Sequence, residues 1–193
     1  MARILAAYGT AYGHTEKVVR RMAQVWTAGG HVVTVYRATA LPFDEAPGAY
    51  DGCLLAASII YGRHQVSVRD VARRWAAVLN GMPSAFVSVC GALGGTSAAG
   101  PRRAAEYVEN FVHETGWHPQ RVSSVAGALA YPQYGFITRW LMRLISKRTG
   151  RPTDTTRAYE FTDWNAVDAF AGQFAAGLQR DAVSAAEAAR GAR

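Results

Sequence analysis

The chain has 193 residues, 50% of them hydrophobic and 18% charged, with a formal net charge of +7. That length suits one domain, and the hydrophobic share builds a substantial core and argues against disorder for most of the chain. Cys53 and Cys90 are the two cysteines, giving neither a disulfide framework nor metal-ligand spacing; no apolar run approaches the roughly 20 residues that span a bilayer, and the start is broken by Gly9 too soon for a signal peptide.

Apolar runs then alternate with segments of helical period. Residues 3–8 read as a short buried strand ending at Gly9. Over 15–27, Val18, Val19, Met22, Val25 and Trp26 recur at three-to-four spacing, which predicts a helix closed by Gly29-Gly30. Residues 31–36 are β-branched and strand-like, and 51–57 are continuously apolar, as a central parallel strand requires. A helix is predicted over 66–79, a fourth strand over 84–89 after Pro83, and a helix over 102–115 that ends near Gly116. A fifth strand follows at 122–129, and a last helix at 164–178 with Asp163 as its cap. This alternation predicts an α/β three-layer sandwich, a five-stranded parallel sheet with helices on both faces. Residues 1–178 form the domain, 130–162 an insertion between the fifth strand and the last helix, and 179–193 a frayed helical extension or tail.

Three loops carry the chemistry. In Gly9-Thr10-Ala11-Tyr12-Gly13-His14-Thr15 the chain passes from strand to helix, presenting backbone N–H groups, two hydroxyls and the positive end of a helix dipole. That arrangement binds a phosphate without a lysine; an ordinary strand-to-helix turn is the plainer alternative. For the strand order 2-1-3-4-5, ligands sit where strands one and three diverge, which puts Ser58, Ile59, Ile60, Tyr61 and Gly62 beside the first loop. Tyr61 offers a ring to a flat ligand, or a cover for the sheet end. After strand four, Val89, Cys90, Gly91, Ala92, Leu93 and Gly94 suit a loop around the edge of a planar ring, with Cys90 read as an inert thiol.

Together these loops resemble the FMN site of flavodoxins, whose phosphate loop has the form Thr-x-Thr-Gly-x-Thr; here it reads Thr10-x-Tyr12-Gly13-His14-Thr15. The resemblance implies a flavodoxin-like fold and non-covalently bound FMN. A resemblance covering nearly the whole chain rests on further blocks: Ala57-Ser58-Ile59-x-Tyr61-Gly62, Asn80-Gly81-Met82-Pro83-Ser84-Ala85-Phe86-x-Ser88-Val89 and Trp117-x-Pro119-x-Arg121. To these add Ala126-Gly127-Ala128-Leu129-x-Tyr131-Pro132-x-Tyr134, Thr153-Asp154-Thr155 and Tyr159-x-x-Thr162-Asp163-Trp164, which plain flavodoxins lack. These blocks are similar to the menaquinone-dependent protoporphyrinogen IX dehydrogenase family. The resemblance implies an FMN oxidoreductase of haem (porphyrin) biosynthesis that passes electrons to a quinone. The chain departs from that family at Arg63-His64-Gln65 and in the glycine-rich stretch from Gly91 to Gly100.

In the insertion, Phe136, Ile137, Trp140, Leu141, Leu144 and Ile145 share one side of a helix over 136–148, with Arg139 and Arg143 opposite and Lys147 and Arg148 at its end. Such a helix fits a lipid surface, a second subunit in a homo-oligomer, or the sheet edge. The quinone link favours peripheral contact at the inner face of the cell membrane by a protein otherwise placed in the cytoplasm. Substrate candidates are Tyr131, Tyr134, Arg139 and Arg143, with Lys147 and Arg151 as further carboxylate partners, because guanidinium forks match carboxylates. His14 and His64 are the candidate acid/base groups, and a lone loop histidine is more often incidental. Nucleic acid is not among the expected partners, nor is a metal. The rival functions are a flavodoxin-type electron carrier and a flavin oxidoreductase of secondary metabolism acting on another reduced aromatic. Basic charge and the aromatic insertion speak against the carrier.

Overall fold

The computed structural model describes residues 1–191, with side chains described as far as Arg180. Its strands are β1 (Arg3–Gly9), β2 (Val32–Arg37), β3 (Gly52–Ile60), β4 (Arg63–His64), β5 (Ser84–Cys90), β6 (Arg121–Ala126), β7 (Ala128–Leu129) and β8 (Tyr159–Glu160). The helices are α1 (His14–Ala28), α2 (Val66–Arg74), α3 (Ala76–Asn80), α4 (Ala99–Thr115), α5 (Phe136–Arg148) and α6 (Trp164–Gly191). The main sheet runs β2-β1-β3-β5-β6, all parallel, with β4 folded back antiparallel on the end of β3. Setting that hairpin strand aside, this is the expected flavodoxin-like order.

Side-chain alternation along the central strands explains why their sequences are apolar without a polar partner face. Ile4, Ala6 and Tyr8 of β1 join Leu54 and Ala56 of β3 in the layer beneath α1 and α6. Leu5 and Ala7 join Cys53, Leu55, Phe86 and Phe111 in the opposite layer, beneath α2, α3 and α4. Trp26 closes the first layer: it is fully buried, its indole N–H donates to the Ala171 carbonyl at 2.8 Å, and its ring leans on Phe174. Phe86 and Phe111 stack at 4.1 Å in the second, with the Trp117 edge against both.

Two expectations are corrected. The helix expected over 66–79 breaks at Trp75, where φ −107° and ψ 14° leave helical geometry and separate α2 from α3. The fifth strand leaves the sheet at Ala126; Ala128 and Leu129 pair instead with Glu160 and Tyr159 in a separate ribbon. That ribbon ties the two ends of the insertion together and gives it its own small core of Leu129, Ala130, Tyr131 and Tyr134. The last helix, α6, continues past Leu178 to Gly191, a helical extension being one of the two forms expected there, and the last two residues of the expected tail lie outside the described residues.

Candidate functional site

The carboxyl ends of β1, β3 and β5 are neighbours: Gly9 is in register with Ala57, and Ser58 with Val89. The three loops read from the sequence therefore emerge side by side where the chain order reverses about β1, the position at which doubly wound sheets bind ligands.

The first loop is closed by Gly13, whose φ of 81° starts α1 in the left-handed region with no side-chain cap. Without a cap, the N–H groups of the first helical turn point outward unpaired, and the helix dipole adds positive potential. Thr10 and Thr15 are buried, while Ala11, Tyr12 and Gly13 are exposed. The hydroxyl Oγ1 of Thr15 is buried with no hydrogen-bond partner among the described residues. An orphaned buried hydroxyl is costly, and a phosphate at this helix end would give it an acceptor. The loop thus fits the phosphate of a flavin nucleotide. Arg37, at the end of β2, donates to the Thr10 carbonyl at 3.3 Å and adds a fixed positive charge. Its position directly after the second strand was the available signal for a residue the sequence analysis passed over.

In the second loop Tyr61 (φ 49°) and Gly62 (φ 78°) both have positive φ, a two-residue reversal that brings β4 back on β3. Tyr61 is not glycine, and the left-handed region costs an L-residue roughly 1–2 kcal/mol. The residue is 91% exposed at the ligand end of the sheet. Ser58, Ile59 and Ile60 are half-buried at the strand end, and the Ser58 hydroxyl accepts from Gln65 at 3.2 Å.

The third loop is gripped by the insertion. Val89 and Cys90 are buried, and Gly91, Ala92, Leu93 and Gly94 form one 3-10 turn. A Cβ on Gly94 would meet the Phe161 ring at 2.5 Å, so glycine here serves close packing by the insertion as well as any ligand. Arg151 donates to the Gly91 carbonyl at 2.9 Å. Burial pushes the Cys90 thiol up, against the N–H groups of Ala92 and Leu93, and keeps it protonated.

Both candidate histidines are committed. Thr162 Oγ1 donates to the Ala126 carbonyl at 2.7 Å, so the 2.6 Å contact with His14 Nε2 requires the imidazole to donate. Burial lowers the His14 pKa and keeps it neutral, with Nδ1 3.8 Å from Glu160. His14 thereby fastens the phosphate loop to the far strand of the insertion, where Glu160 also takes Lys17 at 2.6 Å. His64 is 4% exposed beneath the hairpin, set edge-on against the stacked Phe86 and Phe111 rings and bonded to Ser88 Oγ at 2.9 Å. Burial lowers its pKa to about 4.

The substrate candidates are scattered. Tyr131 is fully buried, its hydroxyl donating to the Pro152 carbonyl at 2.9 Å and 2.8 Å from Ser146 Oγ. Tyr134 is also buried, its hydroxyl accepting from the Ala130 N–H, and its ring meets Tyr12 at 4.7 Å. Arg139 is spent on the carbonyls of Tyr131, Pro132 and Tyr134, while Arg143 and Lys147 are exposed on α5. The apolar stripe of α5 faces outward: Phe136 is 85%, Ile137 79% and Trp140 63% exposed. It does not cover the sheet edge.

Residues 5–156 match the family model of the Flavodoxin domain. A protoporphyrinogen IX dehydrogenase (quinone) of Leishmania major is 34% identical over 181 residues, covering 90% of this chain and 75% of that protein. The protein of the same name from Escherichia coli strain K12 is 31% identical over 180 residues, covering 90% of this chain and 94% of its own. Among solved structures, oxidised Flavodoxin 1 from Bacillus cereus superposes with a TM-score of 0.54 at 16% identity, covering 89% of this chain and 96% of that one, a likeness of fold.

Proposed function

The chain belongs to the protoporphyrinogen IX dehydrogenase (quinone) family of Flavodoxin-domain oxidoreductases, and on that premise we propose that it holds FMN in the three loops and oxidises protoporphyrinogen IX, with a quinone as acceptor. The observation that carries the cofactor assignment is the buried, unpartnered Thr15 hydroxyl at the uncapped start of α1. A flavin in this position supplies the two-electron chemistry, taking hydride equivalents from a reduced substrate and giving them to a quinone.

The protein's own part is binding and orientation. Thr10, Thr15 and the first-turn N–H groups of His14 and Thr15 hold the phosphate, with Arg37 behind them. Ala11, Tyr12 and Gly13 shape the loop. Ser58, Ile59, Ile60, Tyr61 and Gly62 flank the ring on one side; Val89, Cys90, Gly91, Ala92, Leu93 and Gly94 flank it on the other. His14 and His64 are neutral, and each is held through Nε2 by a hydroxyl, so they act as positioning groups and leave proton release to water. A lipophilic quinone is met at a membrane surface, and α5 suits one: its outward apolar stripe is bordered by Arg143, Lys147 and Arg148, with no acidic residue on the helix.

Purification and titration test this reading. The protein should be yellow, or take up FMN stoichiometrically, and lose flavin absorbance on anaerobic mixing with protoporphyrinogen IX. A menaquinone analogue should then restore the absorbance. A colourless protein that ignores FMN refutes the cofactor; bound flavin that stays oxidised refutes the substrate.

A further inference from the structure

A cleft of about 250 Å³ opens between the β3–β4 hairpin, α2 and α4, next to the Tyr61-Gly62 turn. Gly62, Arg63, Arg69, Tyr107, Asn110 and Glu114 line it, over a floor of His64 and Phe111. The α4 contributors recur at helical spacing, so one face of that helix forms a whole wall.

Its charge is unbalanced. Glu114 accepts from Arg63 at 2.7 Å and from Arg69 at 2.6 Å, so two guanidiniums share one carboxylate. Arg69, then Arg63, holds the Glu114 carboxyl below the usual range, which keeps it ionised, and the pair of arginines retains a surplus positive charge. Arg73 and Asp70 pair with each other nearby and leave that balance unchanged. Arg69 Nε is buried and has no hydrogen-bond partner among the described residues. Arg63, by contrast, has its side chain 66% exposed and is free to turn from Glu114 to a second anion. Tyr107 and Asn110 add a hydroxyl and an amide at the same opening.

Size narrows the ligand. Clefts that take a whole drug-sized molecule hold roughly 300–1,000 Å³, so this one suits a short arm of a larger molecule lying against Tyr61. Of the arginines expected from the sequence to meet a carboxylate, Arg139 is spent on three carbonyls and Arg151 on Gly91 and Thr149, while Arg143 stands exposed on α5. We infer that the Arg63–Arg69 cleft holds a carboxylate arm of the substrate, with Arg63 as the mobile clamp and Glu114 as the internal carboxylate that occupies the clamp when substrate is absent. This rests on the porphyrinogen reading above, whose substrate bears propionate arms.

The test uses FMN-loaded protein and two probes, protoporphyrin IX and its dimethyl ester, titrated by porphyrin fluorescence. The diacid should bind at least about ten-fold tighter than the diester, the low end of what a hydrogen bond to a charged group contributes. Arg63→Gln should erase most of that preference while leaving diester affinity and flavin absorbance unchanged. Glu114→Gln, which removes the competing carboxylate, should strengthen the preference. Equal binding of diacid and diester by the unaltered protein, or a preference untouched by Arg63→Gln, overturns the cleft assignment and leaves the function standing. Failure of both probes to bind overturns the cleft and the porphyrinogen substrate together.

Discussion

α1 and α5 are amphipathic helices of 15 and 13 residues that turn their apolar stripes in opposite directions. Val18, Val19, Met22 and Trp26 of α1 are fully buried against the sheet and α6, whereas Phe136, Ile137 and Trp140 of α5 are the exposed side of their helix. The inner side of α5 packs Met142 on the small core of the insertion and is otherwise held by polar contacts: Ser146 beneath the Tyr131 hydroxyl, and Arg139 on the carbonyls that precede the helix. An apolar stripe therefore marks a face that some neighbour can cover, and its periodicity says nothing of which neighbour. A sheet supplied the neighbour for α1; a membrane surface is the one proposed for α5.

The contrast is broken or sharpened by substitution. Trp26→Ala should cost about 3–5 kcal/mol in denaturant unfolding, because it opens a cavity and strands the Ala171 carbonyl; a loss no larger than that of Trp140→Ala would deny that the two stripes differ. Acid is the next lever. His64 titrates near 4 in the fold against an ordinary 6.5, so the unfolded chain takes the proton first. Stability from this group is complete above pH 6.5 and declines by up to about 3 kcal/mol as the pH falls toward 4. His64→Gln should flatten that slope, and an unchanged pH profile would show that His64 is not held neutral by the core.

Smaller effects probe the site. Thr15→Val removes the orphaned hydroxyl, so the apoprotein should gain about 1 kcal/mol while the FMN Kd rises about ten-fold. A loss of apoprotein stability would mean that the hydroxyl has a partner already. Last, Phe136→Ser with Trp140→Ser should change stability by no more than about 0.5 kcal/mol yet abolish flotation with phosphatidylglycerol vesicles. Undiminished flotation would take the membrane role away from α5.

Much of the architecture was legible because it is written locally. Continuous apolar runs such as Ile4 to Ala7 announced buried parallel strands, and the Gly9 to Thr15 passage announced a helix start fit for an anion. The Ser58–Val89 and Gly9–Ala57 registers then brought the three loops together as the strand order required. Less legible was what the loops do for one another. Gly94 looked like a ligand-side glycine and also makes room for Phe161. His64 looked like a loop histidine, but the two-residue turn at Tyr61-Gly62 folds it back into the core. The Arg63–Glu114–Arg69 cluster joins residues up to 51 positions apart and has no sequence signature.

By itself the sequence determined the fold class, the position of the ligand end of the sheet and the phosphate-loop candidates, since strand burial, helix period and helix-start chemistry depend on near neighbours in the chain. The tertiary structure alone decided that His14 and Tyr134 lock the phosphate loop to the insertion, that α5 faces outward, and that surplus positive charge gathers beside Tyr61. Those outcomes depend on which distant surfaces meet, and side-chain exposure and charge pairing exist only once they have met.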